Sequence, residues 1–142
     1  MAAIYTGVVT VTGEGRNGGH VAADDGLLDI SLAIPKEMGG AGGATNPEQL
    51  FAAGWAACFL GAVRRAAAQR KVTLTSTSIT AEVTLNRGED GEFGLGAVLN
   101  LEVGGVDGRT ADELGAAAHQ ICPYSKAIQG NVPVTIRVTA VA

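Results

Sequence analysis

Aromatic side chains make up only 4% of this 142-residue chain, with a single Trp. Its core must therefore be packed from Ala, Val, Leu and Ile, and from close backbone approach at Gly. Cysteine is nearly absent too: two residues, Cys58 and Cys122. Two cysteines do not make a disulfide scaffold in a chain of this size. They are either two inert core thiols or a redox couple. Positive charge is in deficit, with a formal charge of -4, which argues against a nucleic-acid partner. The opening MAAIYTGVV lacks the basic end and apolar core of a secretory signal, so a cytoplasmic protein is expected. There is no internal repeat and no domain-sized linker. What is present argues against disorder: 46% hydrophobic residues and a mean hydropathy of +0.23. The length fits one domain, residues 1–142, with a real core.

The chain is organised around Ala44–Val63, ATNPEQLFAAGWAACFLGAV. Thr45 or Asn46 can cap a helix here and Pro47 suits its first turn; Thr45 and Glu48 have capping-box spacing. From Leu50 to Val63 every residue is apolar or Gly, so the helix is expected to be buried on all sides. This run falls short of the roughly 20 residues needed to cross a bilayer, and no membrane partner is expected.

Before this helix, Ile4–Thr12 reads as a strand, Gly13–Gly18 as a turn, and Leu28, Ile30, Leu32 and Ile34 alternate as another strand. The turn matches G-x-G-x-x-G, but a dinucleotide site needs a helix directly after it. Gly19-His20-Val21-Ala22 does not supply one, so a small antiparallel meander is expected. Pro35–Ala44 holds four glycines and suits a lid or a linker; it lacks the Gly-Lys-Ser/Thr ending of a phosphate loop. The helix should run from Pro47 to Gln69, its basic tail (Arg64, Arg65, Arg70, Lys71) favouring the C-terminus. A hairpin follows, Ile79–Leu85 and Phe93–Val103, turning at Arg87–Glu92. Thr110–Ile121 reads as a second helix capped by Thr110 and stopped by Pro123, and Val132–Val141 as a last strand. The order gives an α+β fold: antiparallel sheet with helices packed on a face.

Cys58 sits mid-helix, flanked by Gly54 and Gly61, each costing about 1 kcal/mol relative to Ala; that suggests space is needed beside the sulfur. Cys122 precedes Pro-Tyr-Ser, which ends a helix and brings the thiol to a terminus. Arg16 in the Gly-rich turn and Glu48 at the helix start could both face a site. Each also has a plain reading: a core thiol, a solvated turn residue, a first-turn carboxylate. His20 and His119 show no metal spacing, and Phe51 and Trp55 suit a core or a pocket wall.

GRNGG, DDGLLDISLAIP, GGAGGATNPEQLFAAGWAACF and CPYSKAIQGNVPV together resemble the organic hydroperoxide resistance (Ohr) branch of the OsmC/Ohr family, over essentially the whole chain. The resemblance implies an OsmC/Ohr-like fold, antiparallel sheets with a buried central helix and a second helix, in an intertwined homodimer. It implies a thiol peroxidase reducing organic hydroperoxides to alcohols, with no cofactor beyond its redox-active cysteine pair and with a dithiol reductant, a lipoylated protein. Carried over, the peroxidatic thiol is Cys58, the resolving thiol Cys122, the Arg of GRNG is Arg16 and the Glu of NPEQ is Glu48. Trp55 stands where Tyr is common and Lys126 where Asn is common. Phe51, Trp55, Phe59 and Met38 are candidate apolar walls for an alkyl or fatty-acyl peroxide. An OsmC-branch peroxidase of broader peroxide use, or a non-enzymatic protein binding an apolar ligand, are the alternatives.

Ten residues of helix place Glu48 and Cys58 about 15 Å apart along the axis, too far for an Arg held by Glu48 to reach Cys58 of the same helix. Two such helices crossing antiparallel near Ala53-Gly54 would instead bring Glu48 of one chain to Cys58 of its mate. Two composite sites per dimer are the expectation.

Overall fold

The computed structural model describes residues 1–142, which fold as two compact units, Met1–Leu50 and Phe51–Ala142. In the first, the expected strand from Ile4 shortens to β1 (Val9–Gly13), while Ile4 and Tyr5 stay exposed outside regular structure. β2 (Gly19–Ala23) and β3 (Asp29–Ser31) complete an antiparallel meander, with Val11 opposite Val21 and Val21 opposite Ile30. A short 3-10 turn at Gly15–Asn17 leads straight into β2, so no α-helix follows the glycines. Gly19 is required by space: a Cβ there would sit 2.5 Å from the Thr12 carbonyl oxygen and 2.8 Å from the Gly15 amide nitrogen. The second expected strand keeps only β3, after which Leu32 makes an isolated parallel bridge to Thr45. The glycine-rich loop contains a second 3-10 turn, Lys36–Met38.

The central helix α1 (Pro47–Gln69) has the bounds its sequence predicts. Its cap is Asn46, whose Oδ1 accepts from the Gln49 amide at 2.9 Å. The capping box with Thr45 is not made: Thr45 Oγ1 donates to Gln49 Oε1 at 2.7 Å, and Glu48 is engaged by Arg16.

In the second unit α1 departs from the expected all-round burial. Trp55, Phe59, Ala62, Val63, Ala66 and Ala67 are buried, whereas Phe51, Ala53, Ala57 and Gly61 are exposed. One chain covers only one face of this helix. By length and composition α1 does qualify to cross a membrane; its buried face is nonetheless packed into the hydrophobic core of this unit. The basic tail does not sit in the last turn. Arg64 Nη2 donates to Thr77 Oγ1 at 3.1 Å, and Arg70 Nη1 reaches back to the Ala66 carbonyl at 3.4 Å. Beyond the helix end at Gln69 the chain turns away at Lys71, which takes a left-handed φ of 56°.

β4 (Ser76–Arg87) and β5 (Phe93–Gly104) form the expected hairpin, Ile79 opposite Leu101 and Val83 opposite Ala97. Ala97, Leu99, Leu101 and Val103 alternate into the core with the buried face of α1. The last strand, β6 (Val134–Val141), lies parallel to β5, so this sheet is mixed rather than antiparallel. The reason is the connection: α2 (Gly108–Ile121) and α3 (Pro123–Ile128) carry the chain back to the same end of the sheet. α2 begins earlier than expected because Asp107 takes an extended conformation and its carboxylate accepts from the Thr110 amide at 2.8 Å. α3 is an element the sequence reading ran past: Pro123 ends α2 and, at N1, opens α3.

Gly115 sets how closely α2 lies on β6. A Cβ there would meet Val138 Cγ2 at 2.7 Å, and a β-branched side chain has little rotamer freedom to yield. Gly115→Ala should therefore lower stability by about 1 kcal/mol despite the better helix propensity of Ala. Urea unfolding checks this; an unchanged or raised midpoint would contradict the packing described.

Candidate active site

Cys58 lies on α1 one turn beyond Trp55 and is partly buried, while Cys122 is fully buried at the corner where α2 passes into α3. The two are free thiols with sulfurs 3.3 Å apart, against about 2.05 Å for a bonded pair. Residues 64 apart in sequence are thus brought into sulfur–sulfur contact by the packing of α1 against the α2–α3 corner. Cys122 serves as the N-cap of α3, its Sγ accepting from the Ser125 amide at 3.5 Å. Burial, and then the neighbouring Cys122, push the Cys58 thiol above its ordinary pKa; the Tyr124 backbone amide pulls it the other way.

In the first unit Arg16 and Glu48 form a two-pronged ion pair. Arg16 Nη1 donates to Glu48 Oε2 at 2.7 Å and Nη2 to Oε1 at 2.6 Å. The 3-10 turn between β1 and β2 presents Arg16, and the first turn of α1 presents Glu48. Hydrogen bonding to Glu48 raises the guanidinium pKa, and hydrogen bonding from Arg16 lowers that of the carboxyl against an opposing effect of burial. Sequence reasoning singled out all four residues, and the structure joins them as two pairs, each within its own unit.

The sequence profile of OsmC-like proteins matches residues 40–137. The chain belongs to the OsmC-like family. Among relatives, an organic hydroperoxide resistance protein of Xanthomonas axonopodis pv. citri (strain 306) is 47% identical over 135 residues, covering 94% of this chain and 93% of the relative. The organic hydroperoxide resistance protein OhrB of Bacillus subtilis (strain 168) is 43% identical over 127 residues, covering 89% and 93%. The crystal structure of an organic hydroperoxide resistance protein OsmC from Legionella pneumophila superposes with a TM-score of 0.91 at 47% identity, covering 97% of this chain and 99% of that one. That of Bacillus subtilis OhrB gives 0.87 at 42% identity, covering 96% and 100%. The α+β fold and its helices match these OsmC/Ohr structures, which place the chain in the Ohr branch of the family.

In this OsmC-like chain the four candidate wall residues divide. Trp55 and Phe59 are fully buried core members, while Phe51 and Met38 are exposed. Phe51 stacks edge-on against Trp55 with ring centroids 5.7 Å apart. The expectation of space beside Cys58 holds unevenly: the Tyr124 ring fills the room over Gly54, at 3.4 Å from a Cβ built there, while nothing in the chain approaches Gly61. His20 Nε2 pairs with Asp29 Oδ1 at 2.5 Å on the meander. His119 lines a groove of about 390 Å³ between α2 and β6 whose walls include neither cysteine, and burial lowers its pKa. No group of three or more His, Cys, Asp or Glu is arranged to hold a metal ion.

Sequence reasoning missed Ser125 and Tyr124. Ser125 is the only buried polar residue, and its Oγ accepts from Trp55 Nε1 at 3.0 Å. A legible signal existed: Pro one residue after Cys122 marks a helix start, which puts Ser125 at the capped amide.

Two outcomes follow. Removing Cys122 removes the second cause that lifts the Cys58 pKa, so in Cys122→Ala Cys58 should alkylate at lower pH than in the intact pair. A pH series of iodoacetamide labelling, read by site with mass spectrometry, measures this; an unchanged or raised midpoint contradicts it. Glu48, with its pKa depressed, contributes stability that is present above its unfolded value of about 4.3 and lost as pH falls through the lower folded value. Glu48→Gln should cost about 1 kcal/mol at neutral pH, kept near the surface-pair range because Arg16 leaves 35% of its side chain in solvent. In urea titrations the gap between the two proteins should close below about pH 4; a gap independent of pH would refute the assignment.

Proposed function

We propose that this protein is a cysteine-based peroxidase that reduces organic hydroperoxides to alcohols. The observation that carries the reading is the pair of free thiols in contact, one on the central helix and one at a helix corner. Its relatives named for organic hydroperoxide resistance, at 40–47% identity over most of the chain, support the substrate class.

The chemistry balances with the residues at hand. Cys58 thiolate attacks the distal oxygen of ROOH, the O–O bond breaks, and the alkoxide leaves to take up a proton as ROH. Cys58 is then a sulfenic acid. Cys122 attacks its sulfur, expelling water and forming the Cys58–Cys122 disulfide, which guards Cys58 against further oxidation. A dithiol, in this reading a lipoyl group of a protein partner, reopens the bridge by two exchanges and leaves as its own disulfide. No other cofactor is called for.

Burial works against the thiolate that starts this cycle, so a fixed positive charge is needed. The Arg16 guanidinium is the candidate: Glu48 fixes it with two hydrogen bonds, and donors remain for a peroxide oxygen. In the proposed homodimer the Glu48-held Arg16 serves the Cys58 of the mate. Two features support a second copy. Ala53, Ala57 and Gly61 leave an exposed small-residue face on α1, and Val8, Val9 and Val11 are exposed along and beside β1.

Turnover of cumene hydroperoxide with dihydrolipoamide tests the assignment. Cys58→Ser should abolish it, and Arg16→Lys should lower kcat/KM roughly tenfold or more, because an ammonium cannot reproduce the two-pronged geometry. Mixing Cys58→Ser with Glu48→Gln chains should restore about a quarter of wild-type activity through mixed dimers holding one whole site. Wild-type rates in Cys58→Ser would contradict the assignment, and absence of turnover in the wild-type protein itself would instead favour a non-enzymatic protein that binds an apolar ligand.

A further inference from the structure

Cys122 is not held by its own helix end alone. Trp55 precedes Cys58 by three residues on α1, and Ser125 follows Cys122 by three residues on α3. Positions three apart share a helix face, so α1 and the α2–α3 corner meet at two rungs. One is the Cys58–Cys122 sulfur contact at 3.3 Å; the other is the Trp55 Nε1–Ser125 Oγ hydrogen bond at 3.0 Å. Ser125 ties both together, because its amide also donates to Cys122 Sγ.

We infer that Trp55 and Ser125 are positioning residues for disulfide closure, the tie that keeps the Cys122 thiol within reach of Cys58. Both side chains are excluded from solvent, Trp55 at 0% and Ser125 at 1% exposure. A buried indole N–H left without a partner is costly, so the corner resists any displacement that pulls Ser125 off Trp55. The indole nitrogen only donates; Ser125 must accept from it, which fixes the hydroxyl's direction. A reaction between two groups already held in place avoids most of the ordering cost that free partners pay. The tie therefore raises the effective concentration of Cys122 at Cys58, and the two sulfurs already stand 3.3 Å apart. Bond formation in the cycle joins Cys58 sulfenic acid to the Cys122 thiol with loss of water, so every misplacement of the corner leaves the sulfenic acid open to a second peroxide.

The inference rests on the peroxidase reading for its purpose, and its test does not. Equilibrating the full-length protein with reduced and oxidised glutathione gives the effective concentration of the thiol pair directly. Trp55→Phe and Ser125→Ala should each lower it about fivefold or more, and the double variant should lie within about twofold of either single, because both remove one interaction. Values within about twofold of wild type in the singles, or losses that multiply in the double, overturn the tie. If one single variant fails to fold, the other decides alone by the same limits. Should the wild-type pair ignore cumene hydroperoxide while the variants lose effective concentration, the peroxidase reading falls and the tie stands. Should peroxide oxidise both wild-type thiols while the variants keep the wild-type value, the reading stands and the tie falls.

Discussion

Holding two sulfurs in contact, one inside the hydrophobic core and one partly buried against it, sets terms that the rest of the molecule has to meet. Packing the partly buried Cys58 against the core cluster of its unit draws a reactive group away from water. The same burial favours the neutral thiol over the thiolate. A nucleophile placed there needs charge brought to it, and it needs a partner thiol that does not wander. The two-pronged Arg16–Glu48 pair answers the first need in the proposed reaction, since an ammonium in the same place would have no fork to be held by. The Trp55–Ser125 bond answers the second. Each is a case of fixing a group beforehand so that no ordering is left for the moment of reaction.

The central helix carries the second constraint. A run from Leu50 to Val63 with no charged residue demands cover on every side, and one chain supplies cover on one face only. What stays open is a face of small residues, Ala53, Ala57 and Gly61, the kind of surface on which another helix can approach closely. Apolar residues left exposed at β1 point the same way. Both features make sense in a chain that completes its core with a second copy, and the reaction proposed above makes use of the same arrangement.

Much of this was legible in the residues themselves, and the exceptions have physical causes. The start of α1 followed from Pro47 at the first turn, and its length from the apolar run continued by a basic tail; the β4–β5 hairpin followed from strict alternation about a polar turn. The failures occurred where local rules compete. Thr45 and Glu48 have capping-box spacing, but Asn46 won the cap and Arg16 took the carboxylate. Asp107 won the start of α2 over Thr110 because its carboxylate reaches the Thr110 amide. The parallel pairing of β6 depends on where a crossover lands, which no local pattern encodes. For the site, the residues raised Cys58, Cys122, Arg16 and Glu48 as candidates and the resemblance to the OsmC/Ohr family singled them out, while their pairing belongs to the tertiary structure. Ser125 was missed although Pro123 marks the helix start that places it, because nothing in the sequence shows that Trp55 faces it.

The most direct measurement is a count of free thiols in the fully reduced protein before and after one equivalent of an organic hydroperoxide. Loss of two thiols per chain, reversed by a dithiol and absent in Cys58→Ser, is the predicted result. Survival of both thiols would contradict the peroxidase assignment and leave Cys58 and Cys122 as core residues in contact.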